Sequence, residues 1–155
     1  MKIRLKSINE EKYYQSSSPI LFEDKRCDRS FAFLTNELIE YKFGWQSDLI
    51  EPELRVLSDT HCSIGIDLDF IILEFMTGKI EIKLSLNSFF YETKVIKEML
   101  YVICEFEIII INLKNFQISE IVPLPDVYQR MEINDDNIII ITLEGRSVVY
   151  NPPLS

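Results

Sequence analysis

Six carboxylates occupy equivalent places along this chain, and their type and spacing are what could do chemistry: Asp67 and Asp69, Glu105 and Glu107, Asp135 and Asp136. Each pair sits at a polar break between two apolar runs, and an earlier break of the same kind carries only Glu37. Grouped acids repel one another unless a partner relieves the charge, so they draw a basic surface or a cation. Turns favour Asp for conformational reasons alone. Glu has no such preference, and its presence at 105 and 107 favours a partner-binding surface. A divalent cation prefers carboxylate oxygen, yet the sequence holds no Asp-x-Asp-x-Asp-Gly loop. The expectation is therefore no metal and no cofactor.

Other reactive residues form no catalytic pattern. His61 is the single histidine, which excludes a multi-histidine metal site. It neighbours Cys62, but adjacent residues of a strand face opposite ways and do not make a nucleophile–base pair. A carboxylate pair could hydrolyse glycosides, but among twenty-five acids such a pair arises by chance. No Gly-rich phosphate loop, zinc spacing or nucleophile elbow is present. Trp45 and the run Phe89-Phe90-Tyr91 read as packing residues, with an interface anchor as the alternative. Asp126 and Tyr128 are weaker candidates for the same surface. The protein is read as no enzyme, with carboxylate-dependent hydrolysis as the last-ranked alternative.

The elements that must position these acids come as a fourfold repeat. Residues 31–43, 63–75, 101–113 and 131–143 each contain a strand-like run, a short polar turn and a second, strongly apolar run, starting 32, 38 and 30 residues apart. Runs such as Ile108–Ile111 and Ile138–Ile141 are β-branched and continuous, the mark of strands covered on both faces. Further turns at Thr77-Gly78-Lys79, Lys114-Asn115 and Glu144-Gly145 lead into third strands. Aligned without gaps, the copies superpose the acidic turns, so stacked units would present them on one rim. Residues 1–8 alternate as an edge strand, 10–15 fit a turn of helix, 20–22 another strand, and 92–100 a strand that also fits a helical face. At 155 residues the chain reads as one domain, with 1–30 an N-terminal strand and linker and 31–151 four repeat units.

Charge narrows the partners. The net charge of −9 is unevenly placed: residues 1–30 carry seven basic and five acidic side chains, residues 31–155 nine and twenty. Such a body disfavours nucleic acid and membrane surfaces. Cys27, Cys62 and Cys104 are odd in number and lack CxxC spacing, as in a reduced cytoplasmic protein. The start Met-Lys-Ile-Arg-Leu-Lys has no apolar stretch after it, and no aliphatic run could span a bilayer.

The segment Leu73-Glu-Phe-Met-Thr-Gly-Lys-Ile80 resembles the blade-ending pattern of β-propeller repeats, in which a Thr-Gly-Lys turn joins the third and fourth strands. Ile82 stands near the position where such repeats often carry Trp. The resemblance implies an all-β fold of consecutive antiparallel hairpin units forming an open, half-propeller-like curved array, its last unit short of a strand. A small acidic chain of this kind is also similar to immunity proteins of bacterial contact-dependent inhibition and other polymorphic toxin systems. That resemblance implies a basic protein partner, a toxin domain such as a nuclease, bound through Asp67, Asp69, Glu105, Glu107, Asp135 and Asp136. The alternative is a propeller-type scaffold module for protein assembly, with completion by another copy of the chain left open.

Overall fold

A computed structural model describes residues 1–24, 29–46 and 49–153. Among these residues the fold is all-β apart from one short helix, and it forms two compact units, residues 1–85 and 86–155, each with its own core.

In the first unit, β1 (Arg4–Ile8) lies at the edge of a sheet ordered β1-β3-β4-β2, with β2 (Ile20–Glu23), β3 (Ser30–Thr35) and β4 (Glu40–Trp45). The outer strand β2 runs parallel to β4, the only parallel pair among the described residues. A second sheet is a meander of β5 (Glu53–Val56), β6 (His61–Ile66), β7 (Asp69–Glu74) and β8 (Lys79–Ser85). The two sheets share one core, in which Leu34, Phe43 and Trp45 pack with Cys62, Ile64, Leu73 and Phe75. Truncating a fully buried member such as Phe43 to Ala costs about 3–5 kcal/mol.

The other face of β3 is covered by α1 (Glu10–Gln15), whose Tyr13 ring stacks on Phe31 at 4.4 Å. This explains why four successive apolar residues, Phe31–Leu34, are all buried. Six residues are too few for a free-standing helix. Asn9 caps its start by accepting the Lys12 N–H at 2.8 Å. At its end the buried Lys42 ammonium of β4 donates to the carbonyls of Tyr13 (2.7 Å) and Ser16 (2.8 Å), at the negative pole of the helix.

In the second unit, β9 (Phe90–Ile96), β10 (Met99–Cys104), β11 (Glu107–Asn112) and β12 (Gln117–Pro123) form a four-stranded antiparallel meander. The chain continues into a three-stranded sheet of β13 (Tyr128–Ile133), β14 (Ile138–Thr142) and β15 (Ser147–Tyr150). Tyr101, Ile103, Ile108 and Ile110 of one sheet pack with Met131, Ile138 and Ile140 of the other. Ile139 and Ile141 are only half-buried, so β14 is covered on one face, unlike β10 and β11.

The hairpin repeat, the edge strand, the first helical turn and the missing strand of the last sheet match the sequence reading. The continuous run Ile138–Ile141, expected to be covered on both faces, is covered on one, because Ile139 and Ile141 face away from the core, and one further segment differs. Residues 92–100 are not a single strand but the end of β9, a two-residue turn at Lys97-Glu98 and the start of β10. Lys97 takes the left-handed conformation (φ 57°), which the apolar pattern does not announce.

Candidate functional site

Backbone hydrogen bonds show which turns are equivalent. In the second unit the Glu105 N–H donates to the Phe89 carbonyl, closing the β10–β11 turn against the start of β9. The matching bond at β13 comes from Leu143, whose N–H donates to Val127. So β13 corresponds to β9 and β14 to β10, and the last sheet lacks its fourth strand. The ungapped superposition of the copies is displaced by one strand here, and one strand of slip exchanges the two ends of a hairpin. Asp135 and Asp136 therefore match Lys97 and Glu98, and Asp135 lines a cavity together with those two residues. Glu105 and Glu107 lie at the opposite end of the unit. In place of the expected single rim, its acidic turns are divided between two ends.

The first unit shows the same division. The Asp67 carboxylate accepts the Gln46 N–H at 3.1 Å, from the far end of β4. Glu37 sits in the turn at the near end of β4 and pairs with Arg4 at 3.4 Å. Asp67 itself is buried at a left-handed turn position, φ 52°, so its carboxylate holds the chain rather than facing a partner. Asp69 opens β7 half-buried.

The end of the second unit that carries Glu105 and Glu107 is acidic and apolar together. Phe106 projects from the β10–β11 turn, 47% exposed between the two half-buried glutamates. Its N–H is held by Ser88 Oγ at 3.2 Å, next to Phe89, itself 54% exposed. Leu143 and Glu144, at the equivalent turn, are exposed as well, with Arg146 paired to Glu144 at 3.6 Å. Two secondary candidates turn out to be structural. Asp126 accepts from Thr142 Oγ1 (2.7 Å) and the Glu144 N–H (3.2 Å), and Tyr128 is buried. In the 89–91 run, Phe90 is core while Phe89 and Tyr91 alternate outward.

The opposite end of this unit holds the cavity, about 550 Å³, with Met99, Tyr101, Asn112, Ile133 and Ile138 in its lining. In the first unit, His61, Glu74 and Glu81 come together from three successive strands, a grouping invisible without the register. His61 Nε2 lies 3.1 Å from Glu81 Oε1, and Lys79 Nζ 3.3 Å from Glu81 Oε2. The His61 hydrogen bond, helped by Lys79, holds the Glu81 carboxyl below its ordinary value against partial burial. Cys62, on the other face of β6, is in the core. Burial pushes its thiol up to about 12, and Cys104 likewise with help from Glu107, so neither is a thiolate nucleophile at neutral pH. Cys27 lies outside the described residues. Trp45 is packed in the core, as its sequence context suggested.

No protein-family model matches the chain, and no curated protein matches it. Among solved structures, the computationally designed protein Ika4 aligns with a TM-score of 0.53 at 12% identity, over 88% of this chain and 92% of its own. BamB from Moraxella catarrhalis, a propeller-type protein, aligns with a TM-score of 0.54 at 13% identity, over 80% of this chain. This chain spans 46% of BamB. Identities this low show the fold alone, and it is the propeller-like, all-β architecture expected from the hairpin repeat. No helix among the described residues is long and apolar enough to cross a membrane.

Proposed function

We propose that this chain is a non-catalytic protein-binding module that engages a basic segment of a partner at the 105–107 hairpin tip. The observation carrying this reading is Phe106, half-exposed between Glu105 and Glu107 and close in the chain fold to exposed Phe89. Aromatic residues, Phe among them, are enriched at protein interfaces, where they anchor in a partner's pocket. The carboxylates steer a cationic partner and set its orientation more than they add affinity. The finer form of the reading is an immunity protein whose partner is a cognate basic toxin. The acid surplus of residues 31–155 supports it, since carboxylates can stand in for the phosphates a nuclease binds.

The test uses the separation of the acids as its own control. Partner capture by the full chain should fail with Glu105→Lys/Glu107→Lys and with Phe106→Ala. It should persist with Asp135→Lys/Asp136→Lys, which changes charge equally at the other end. Equal loss from both charge reversals, or an association rate and salt dependence unmoved by the first, refutes the site. An adjacent reading frame encoding a basic toxin domain would favour the finer form, and a captured partner without toxicity would overturn it.

A second reading has one observation behind it. Among the described residues the last sheet has three strands, and β15 pairs with β14 alone, leaving an open edge. A scaffold completed by a second copy would run as a dimer on size-exclusion chromatography; a concentration-independent monomer excludes it.

A further inference from the structure

The geometry points to a divalent transition-metal site, of the kind that takes Zn²⁺, formed by His61, Glu74 and Glu81 on the β6–β8 face of the first unit. One imidazole nitrogen and two carboxylate oxygens lie within 4.8 Å of one another. This mixed donor set suits Zn²⁺, whose bonds to nitrogen and oxygen are about 2.0–2.2 Å. Tetrahedral bonds of that length need donors roughly 3.4 Å apart, and the His61–Glu81 separation of 3.1 Å is already there.

The scaffold suits the task. His61 stands directly opposite Glu74 in the β6–β7 register, which puts both side chains on one face of the sheet. Glu81 is the extra residue of a β-bulge: Ile82 pairs with Ile72 and Ile80 with Leu73, leaving Glu81 unmatched. Bulges re-aim side chains in this way beside functional sites. His61 Nδ1 lies 2.7 Å from Thr60 Oγ1, which fixes the ring with Nε2 directed at the carboxylates. Metal-ligating histidines are held by such a contact on their other nitrogen. The His61 and Glu81 side chains are only 16% and 14% exposed, so a cation there meets reduced competition from water. Two carboxylates and a neutral imidazole balance the charge of one divalent ion. Lys79 now neutralises Glu81, but its side chain is 66% exposed and can swing into solvent.

Calorimetric titration of the metal-free full chain with Zn²⁺, and with Co²⁺ followed by its visible absorption, tests this. The expected result is one ion per chain, with affinity at least about tenfold weaker in His61→Gln and in Glu81→Gln. Glu120→Gln, at an exposed acid in the other unit, should bind like the parent. Lys79→Gln should bind Zn²⁺ more tightly, because it removes the competing ammonium, whereas a plain ion-pair cluster gives no such gain. Circular dichroism without metal checks that each variant is folded. No binding by the folded parent, or binding unchanged in folded Glu81→Gln, overturns the site.

Discussion

Asp67 separates a structural carboxylate from a partner-binding one, and substitutions there are expected to damage stability before any interaction. Two costs can be worked out for Asp67→Ala. The buried carboxylate accepts the Gln46 N–H at 3.1 Å, and losing a hydrogen bond to a charged acceptor costs about 1.5–3 kcal/mol. Asp67 also holds φ 52°, a left-handed conformation that Asp tolerates and Ala resists by about 1 kcal/mol. The total is about 2.5–4 kcal/mol. At a urea slope of about 1.5 kcal/mol/M the unfolding midpoint falls by roughly 2 M. Asp67→Gly loses the bond but relieves the backbone, so its midpoint should fall by about 0.7 M less than that of Ala. Asp67→Asn retains an acceptor oxygen and the turn preference, and should fall least. The single tryptophan makes the assay local, because Trp45 is buried next to Gln46 in the same unit and its fluorescence reports that unit's unfolding. An unshifted midpoint for Asp67→Ala, or a Gly variant weaker than Ala, refutes the structural role.

Two glycines with similar positive φ should respond differently to Ala. At Gly145 (φ 80°) a Cβ meets nothing within 4 Å, so only the backbone term of about 1 kcal/mol applies. At Gly78 (φ 76°) it comes within 3.1 Å of the Tyr41 hydroxyl, which donates to the Phe75 carbonyl. Losing that bond as well raises the cost to about 2–3 kcal/mol, and equal thermal shifts for the two variants would disprove the contact. Glu81 has a depressed folded-state pKa, so its stabilisation is present above its ordinary value of 4.5 and fades as pH falls through the lowered one. The stability gap between parent and Glu81→Gln should therefore shrink below about pH 4.5; a gap constant from pH 7 to pH 3 contradicts the His61 pairing. Cys62 and Cys104, buried with thiols pushed up to about 12, should resist alkylation at pH 8 until denaturant is added. Peptide mapping that finds either modified in the native protein would place it at the surface.

Much of the fold is legible in the residues themselves. Phe31–Leu34 and Ile108–Ile111 are apolar without alternation, and the structure buries all eight, whereas the equally continuous Ile138–Ile141 is covered on one face only. The turn at Thr77-Gly78-Lys79 is marked by a glycine that the left-handed backbone requires. The site was less legible. Glu105 and Glu107 do flank an exposed hairpin tip, but nothing in the sequence singles out Phe106, and the run Phe89-Phe90-Tyr91 reads as packing residues although Phe89 is exposed. Exposure of an aromatic depends on which face its strand turns outward, and Phe89 and Phe90 differ in that alone.

The chain's own pattern determined that it folds as β-hairpins, about how many, and that acids crowd their turns, because these follow from local apolar runs and turn chemistry. Only the tertiary structure decided which end of each unit a turn occupies. A hairpin read from sequence is nearly symmetric: two apolar strands and a polar break look alike from either end, so a slip of one strand costs an alignment nothing. In the folded chain the same slip would misplace the bonds from Glu105 to Phe89 and from Leu143 to Val127. Those bonds put Asp135 and Asp136 at the other end of the unit from Glu105 and Glu107. Pairing across strands likewise set His61 against Glu74 and Glu81, because a register joins residues that the sequence keeps far apart.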